Sequence, residues 1–366
     1  MNKLLYNIAL TLVPNIGDVH AKVLLQAYHN DAQKIFEARK GELDKIPGIG
    51  SVRAKSIKDF TNFSRAEEEL AFIEKYKIET LIYGTEKYPK RLLNCYDAPT
   101  LLYYRGNADL NTAKIVSIVG TRNNTDYGKL VTEKLIDEFA NHDILIISGL
   151  AYGVDSIAHK LAMKSNLKTV GVLAHSLDRI YPSTHTSMAK EMVEQGGLLS
   201  EFISGTKPDK QNFPKRNRIV AGMSDCVIVI ETSVKGGSMI TAELANSYNK
   251  DVFAIPGKIN DSKSEGCNFL IKTNKAMLIT SAEDVIEQMQ WQHNKKIKPR
   301  PQRELFIDLT PDEHIIIKIL KEHSPIHIDE LYLKSGLSSS HVAAAILNLE
   351  LQGIINQLPG KLYRLI

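Results

Sequence analysis

The chain is poor in cysteine and tryptophan: three thiols (Cys95, Cys226, Cys267) and one tryptophan stand among 366 residues. Thiols so far apart, with no Cys-x-x-Cys pair, exclude a disulfide framework and a thiolate zinc site and fit a reducing, cytoplasmic setting. Charge of one sign is also lacking. The 46 Lys and Arg against 42 Asp and Glu give +4, too little for a broadly basic nucleic-acid coat. No uninterrupted apolar run approaches the roughly 18 residues of a membrane span. The apolar start, Leu4–Val13, is interrupted by Asn7 and closed by Pro14-Asn15 with no small-residue cleavage site, so it reads as a helix. Gly-x-Gly-x-x-Gly, Walker A, His-Glu-x-x-His and Gly-x-Ser-x-Gly patterns are missing too. Their absence removes the usual sites of dinucleotide enzymes, nucleotide triphosphatases, zinc peptidases and serine hydrolases. No catalytic set, cofactor or metal is expected.

What is present is an average globular composition, 43% hydrophobic and 24% charged, at a length that suits two or three domains. The first, over 1–75, carries an internal repeat. Pro14-Asn-Ile-Gly-Asp-Val-His-Ala-Lys22 matches Pro47-Gly-Ile-Gly-Ser-Val-Arg-Ala-Lys55 at six of nine positions. Each copy sits between helical patterns, as in a helix-hairpin-helix element, where a glycine turn exposes amide donors at a helix N-terminus. Two readings stay open: phosphate contact, or turns that only join helices.

Over 76–290 strand and helix alternate. Strands are expected at Ile115–Val119, Ile144–Ser148, Thr169–Leu173, Leu198–Ser200, Cys226–Ile230 and Val252–Ile255. Helices are expected over Tyr127–Phe139, Val154–Lys164, Thr184–Gln195 and Ile240–Tyr248. Continuous Val/Ile/Leu runs imply a parallel sheet covered on both faces, an extended Rossmann-like, doubly wound α/β domain. Ligands then bind beyond the C-terminal strand ends. A Pro-containing basic stretch, 291–304, reads as a linker. The tail, 305–366, shows three helices and a terminal hairpin, a winged-helix-like pattern. Its third helix, Ser339–Leu351, has no Lys or Arg, which favours a protein contact over duplex reading.

Four strand-end loops carry chemistry. Gly120-Thr-Arg122 offers close backbone approach and a guanidinium for phosphate. Gly149-Leu-Ala-Tyr-Gly153 precedes Asp155, whose expected part is that of a helix-dipole partner. Lys207–Arg218 reads as a basic loop leading into a helix, with Phe213 among five cations, the composition for stacked bases and neutralised phosphates. Glu231-Thr-Ser-Val-Lys-Gly-Gly237-Ser238 suits phosphate, with Glu231 ordering the loop. His159 and His175 read as ordinary histidines without partners.

Taken in order, several segments together resemble the DNA processing protein A (DprA/Smf) family. They are Tyr88–Asn107, Ser117-Ile-Val-Gly-Thr-Arg122, Ser148-Gly-Leu-Ala-Tyr-Gly-Val-Asp-Ser-Ile-Ala-His159, Phe213-Pro-Lys-Arg-Asn-Arg-Ile-Val-Ala-Gly222 and Ile255-Pro-Gly257. The likeness spans about residues 75–285, and the flanking helical and winged-helix-like parts match the family's architecture. It implies a homodimer that binds single-stranded DNA and loads the recombinase RecA onto incoming strands in natural transformation. It assigns DNA contacts to Gly120, Arg122, Lys210, Phe213, Arg216, Asn217 and Arg218, with Gly149, Gly237 and Ser238 as backbone or hydroxyl donors. Two other classes stay open. One is a phosphoribohydrolase of the lysine decarboxylase-like Rossmann group, for which Gly236-Gly237…Thr241…Glu243 has altered spacing. The other is a winged-helix regulator of duplex DNA.

Overall fold

The computed structural model describes residues 3–291 and 309–365. The basic linker therefore lies, from Gln292 onward, outside the described residues. Contacts divide the chain into two compact units, Met1–Gln292 and His293–Ile366.

The first unit opens with six helices: α1 (Lys3–Leu12), α2 (Asp18–Ala27), α3 (Ala32–Glu37), α4 (Lys40–Asp44), α5 (Gly50–Lys58) and α6 (Phe63–Tyr76). Both repeat copies lead into a helix, α2 and α5. The sheet follows as β1 (Glu79–Ile82), a short α7 (Lys90–Leu93), β2 (Leu101–Gly106), β3 (Ile115–Val119), α8 (Asp126–Phe139), β4 (Leu145–Ser148), α9 (Val154–Lys164), β5 (Thr169–Val172), α10 (Thr186–Gln195) and β6 (Gly196–Ser200). Its second half is α11 (Asn212–Met223), β7 (Cys226–Val229), α12 (Gly237–Ser247), β8 (Asp251–Ala254), α13 (Glu265–Lys272), β9 (Met277–Leu278) and α14 (Ala282–Gln288).

The nine strands are ordered β1-β2-β6-β5-β4-β3-β7-β8-β9. From β6 to β9 every pair is parallel. The sheet is not parallel throughout, however: β2 runs antiparallel to β6, and β1 antiparallel to β2. Those two strands lie in the segment before Ile115 and are separated only by the one-turn α7, so a reading based on strand–helix alternation misses them. Along β3 alternate side chains enter opposite cores. Ile115 and Val119 join one cluster with Val227 and Ile219, and Val116 and Ile118 join the other with Phe139 and Val154. The chain leaves β3 toward β4 on one side and returns to pair β7 on the other. The β3/β7 crevice is thus the topological switch point, where open α/β sheets place their ligands.

The helical layer packs on the antiparallel edge: Leu5, Ile8 and Ile73 share a core with Leu101 and Tyr103 of β2. Arg65 donates to the Ser204 carbonyl at 2.7 Å, and buried Glu69 accepts from the Ser204 amide at 3.0 Å. No helix among the described residues is long and apolar enough to cross a membrane.

The second unit holds α15 (Pro311–Glu322), β10 (Ile326–His327), α16 (Ile328–Ser335), α17 (Ser339–Leu351), β11 (Ile355–Leu358) and β12 (Leu362–Leu365). Its three strands pair antiparallel in the order β10-β12-β11 around a core of Ile316, Leu331, Val342 and Leu349. This is a winged-helix arrangement. Thr310 caps α15 through the amide of Glu313, whose carboxylate in turn accepts from the Thr310 amide.

Candidate nucleic-acid interface

A cavity of about 530 Å³ opens at the C-terminal ends of β3 and β7. Nine of the ten residues expected from the sequence line it: Gly120, Arg122, Gly149, Lys210, Phe213, Arg216, Asn217, Gly237 and Ser238. The loop after β3 is held by a buried carboxylate. Glu231 accepts from the Thr125 amide at 2.9 Å, takes a short hydrogen bond from the Thr125 hydroxyl, and offers its carbonyl to the Thr121 amide at 2.7 Å. Thr125 then caps α8 through Gly128 at 3.1 Å. Glu231 orders the loop, with its carboxylate packed so close to Gly128 that a Cβ there would collide with it.

Arg122 is exposed, and its guanidinium lies 4.9 Å from the centroid of the Phe213 ring. Tyr181 also approaches that ring, centroid to centroid 6.2 Å and tilted by 55°. The sequence reading misses Tyr181, because its only signal is an exposed aromatic some thirty residues from Phe213. Lys210 is exposed at the cavity's margin.

Lys207–Arg218 is not a loop for its whole length. Helix α11 begins at Asn212, with Pro214 in the first turn, where a missing N–H costs nothing. Residues 213, 216, 217 and 220 then share one face, toward the cavity, at helical spacing. Arg216 is only 4% exposed. Its Nη1 donates to the Val172 carbonyl at 2.6 Å and its Nε to Asn217 Oδ1 at 3.1 Å. Burial lowers its pKa to about 10, against the pull of Asp155, so it stays a cation at neutral pH. Asp155 does more than face the α9 dipole: its Oδ2 accepts from the amides of Gly149 (3.1 Å) and Ala151 (3.4 Å), and burial raises its pKa.

Arg218 is the exception among the ten. Two residues on from Arg216 is a turn of about 200°, and its guanidinium is directed to Asp18, Glu201 and the Asp97 carbonyl. It does not line the cavity. Treating Arg-Asn-Arg as one cationic patch fails because a helix, not a loop, carries it.

The last wall is the N-terminus of α12, which starts at Gly237, earlier than the apolar pattern alone implies. Gly237 faces open space. The Ser238 hydroxyl is buried and has no hydrogen-bond partner among the described residues. A buried hydroxyl beside helix N-terminal amides is an acceptor's missing counterpart. Glu243 lies elsewhere, paired with Lys275 at 3.7 Å. His159 and His175 are core histidines: His159 Nδ1 meets Thr169 at 2.7 Å, and His175 Nδ1 meets the Ser176 carbonyl at 2.9 Å.

Known proteins share this architecture. Residues 79–290 match the DNA recombination-mediator protein A family, and residues 298–361 the DprA winged helix domain. The Smf protein of Synechocystis is 30% identical over 98% of both chains. The DNA processing protein DprA of Streptococcus pneumoniae is 41% identical over 56% of this chain and 72% of its own. Its crystal structure superposes with a TM-score of 0.67 at 33% identity, covering 79% of this chain and 98% of that one. DNA processing protein A of Helicobacter pylori, described with a single-stranded DNA binding mode, gives 0.53 at 35% identity over 58% of this chain and 96% of its own. With that motif set on this fold, the chain belongs to the DNA recombination-mediator protein A family, also called DprA or Smf.

Proposed function

We propose that the β3/β7 cavity binds single-stranded DNA without strong sequence preference. The observation that carries this reading is the Arg122–Phe213 pair at the mouth of a cavity whose inner wall ends in an unpartnered Ser238 hydroxyl. Phe213 supplies a face on which any base stacks, and Arg122 and Arg216 neutralise phosphate. The α12 amides and Ser238 hold a second anionic oxygen. The Helicobacter pylori relative's single-stranded DNA binding mode supports the same use here.

The family's description as recombination mediators supports a further step, in which the bound strand is protected and handed to the recombinase RecA. That step needs no bond chemistry from this chain, consistent with a binding protein rather than an enzyme. A homodimer fits the open sheet edge, where Met277 and Leu278 of β9 are 47% and 48% exposed. Two linked pockets on one strand raise avidity. The three free, buried cysteines suit work in the cytoplasm.

The test is competition binding of single-stranded against duplex DNA at two salt concentrations, without ATP. Preference for the single strand, weakening with salt, is the expected result. Preference for duplex overturns it, and release of free base from nucleotides would instead revive the hydrolase reading, which Glu243, engaged with Lys275, does not support.

A further inference from the structure

The two Pro-x-Ile-Gly repeats have parted ways. In the second copy, Ser51 and Lys55 are exposed on α5. Their counterparts in the first copy, Asp18 and Lys22 on α2, face inward to the sheet layer. Asp18 Oδ2 meets Arg218 Nη2 at 2.9 Å, and its Oδ1 accepts from the Thr100 amide at 3.1 Å. Lys22 donates to the carbonyls of Cys95 and Tyr96, each at 2.9 Å. The same short segment is gripped from behind, where Tyr248 donates to Asp97 Oδ1 at 2.6 Å.

Arg218 belongs to α11, the helix that presents Phe213 and Arg216 to the cavity. Its guanidinium, with the side chain 10% exposed, is shared by Asp18, Glu201 and the Asp97 carbonyl. One face of α11 is therefore tied to the helical layer while the opposite face forms the pocket wall. We infer that Asp18 is a positioning residue for the DNA pocket: acting through Arg218, it fixes the rotation and seating of α11, so the first repeat serves as an intrachain clamp and not as a DNA contact. The inference rests on the single-strand reading of the cavity given above.

Coupling of this kind follows from rigidity. A helix moves as a body, and Arg216 has little freedom, with its Nη1 on the Val172 carbonyl and Gly149 against it. A small roll of α11 would pull Arg216 off that carbonyl and slide Phe213 from beneath Arg122. The helical layer is also held by a second, independent set of bonds, Arg65 and Glu69 to Ser204, which do not touch α11. The two attachments can thus be separated experimentally.

The experiment uses the full chain and a fluorescent oligothymidine, read by anisotropy over a salt series, with thermal unfolding in parallel. Asp18→Asn is expected to weaken binding at least about fivefold, the lower range of site-to-site coupling. The salt slope should stay unchanged, because every phosphate-facing cation is still present. Asp18→Glu should restore much of the affinity, and amide exchange over 213–217 should quicken in Asp18→Asn alone. Arg65→Ala should lower the melting temperature while leaving affinity at the wild-type value. If Asp18→Asn binds as wild type, or if Arg65→Ala weakens binding equally, the clamp is structural only and the inference fails. If Asp18→Asn instead tightens binding or steepens the salt slope, as removal of a carboxylate beside a phosphate would, the first repeat touches DNA and the inference also fails. Arg122→Ala separates the two readings: where it too leaves binding unchanged, the pocket assignment itself is wrong.

Discussion

Arg216 lies so close to Gly149 that a Cβ at residue 149 would stand 1.9 Å from its Nη1. The same Nη1 donates to Val172 at 2.6 Å. A methyl group at 149 would push the guanidinium off its carbonyl. Gly149→Ala should therefore reduce single-strand affinity about tenfold, equivalent to roughly 1.4 kcal/mol, with a smaller loss of stability, because the displaced group is the end of a long side chain. Anisotropy and urea unfolding of the same preparation check this. An unaltered affinity would show that Arg216 does not meet the strand.

Exposed Arg122 and half-buried Phe213 pair at the mouth of the cavity, and their contributions to binding should differ in kind. Removing the cation should lower the slope of log K against log salt by about 0.7, the loss of one phosphate on a single strand. Removing the ring should cost about 1–3 kcal/mol of affinity with the slope unchanged. Because the guanidinium rests 4.9 Å from the ring, the two losses should add to more than the double variant shows. A titration of Arg122→Ala, Phe213→Ala and the double variant at four salt concentrations tests all three statements.

Much of this site is legible in the chain. The β3 and β7 strands are apolar runs, and the loops after them carry glycine with hydroxyl or guanidinium groups; the strand order that makes their crevice the switch point comes from the fold. Other features are not legible. Strands β1 and β2 are separated only by the one-turn α7, too short for the crossover helix of a parallel unit, and so pass as a lead-in segment. The orientation of Arg218 depends on where α11 begins, and Lys207–Asn212 offers no strong cap to fix that start: the structure shows no side-chain hydrogen bond from Gln211. A shift from loop to helix at Asn212 turns neighbouring cations to opposite sides. Tyr181 is missed for a different reason, since its approach to Phe213 is made by the sheet and not by any local pattern.

Glu231 orders the loop after β3 from a fully buried position. Glu231→Gln replaces one of its two acceptor oxygens with a donor that opposes the Thr125 amide or hydroxyl. The expected cost is about 1.5–3 kcal/mol, the range for hydrogen bonds to a charged group. Binding should weaken too, because Gly120 and Arg122 lie on the loosened loop. Thr125→Val, which removes only the hydroxyl, should show the same direction with a smaller effect in urea unfolding. A stable Glu231→Gln protein with lost binding would instead point to direct contact with ligand.

Glu201 gives the fold a pH dependence of unusual sign. Burial pushes its carboxyl from the ordinary 4.5 up to about 7, with Asp18 and Asp97 adding to the rise and Arg218 and Lys215 opposing it. A carboxyl that holds its proton more tightly in the folded state stabilises most below pH 4.5, and that contribution is lost as pH climbs through 7. His159 works the other way. Burial, with Arg216 and His185 nearby, lowers it to about 3, so its share is present above 6.5 and lost as pH falls toward 3. The two slopes oppose each other between pH 4.5 and 6.5, so the wild-type curve alone isolates neither. The difference between wild type and Glu201→Gln isolates the first. Urea midpoints at pH 5 and pH 8 should show wild type losing stability relative to the variant as pH rises. An equal change in both proteins would mean that Arg218 keeps Glu201 ionised throughout, and that the clamp is a fixed ion pair at every pH where the protein is folded.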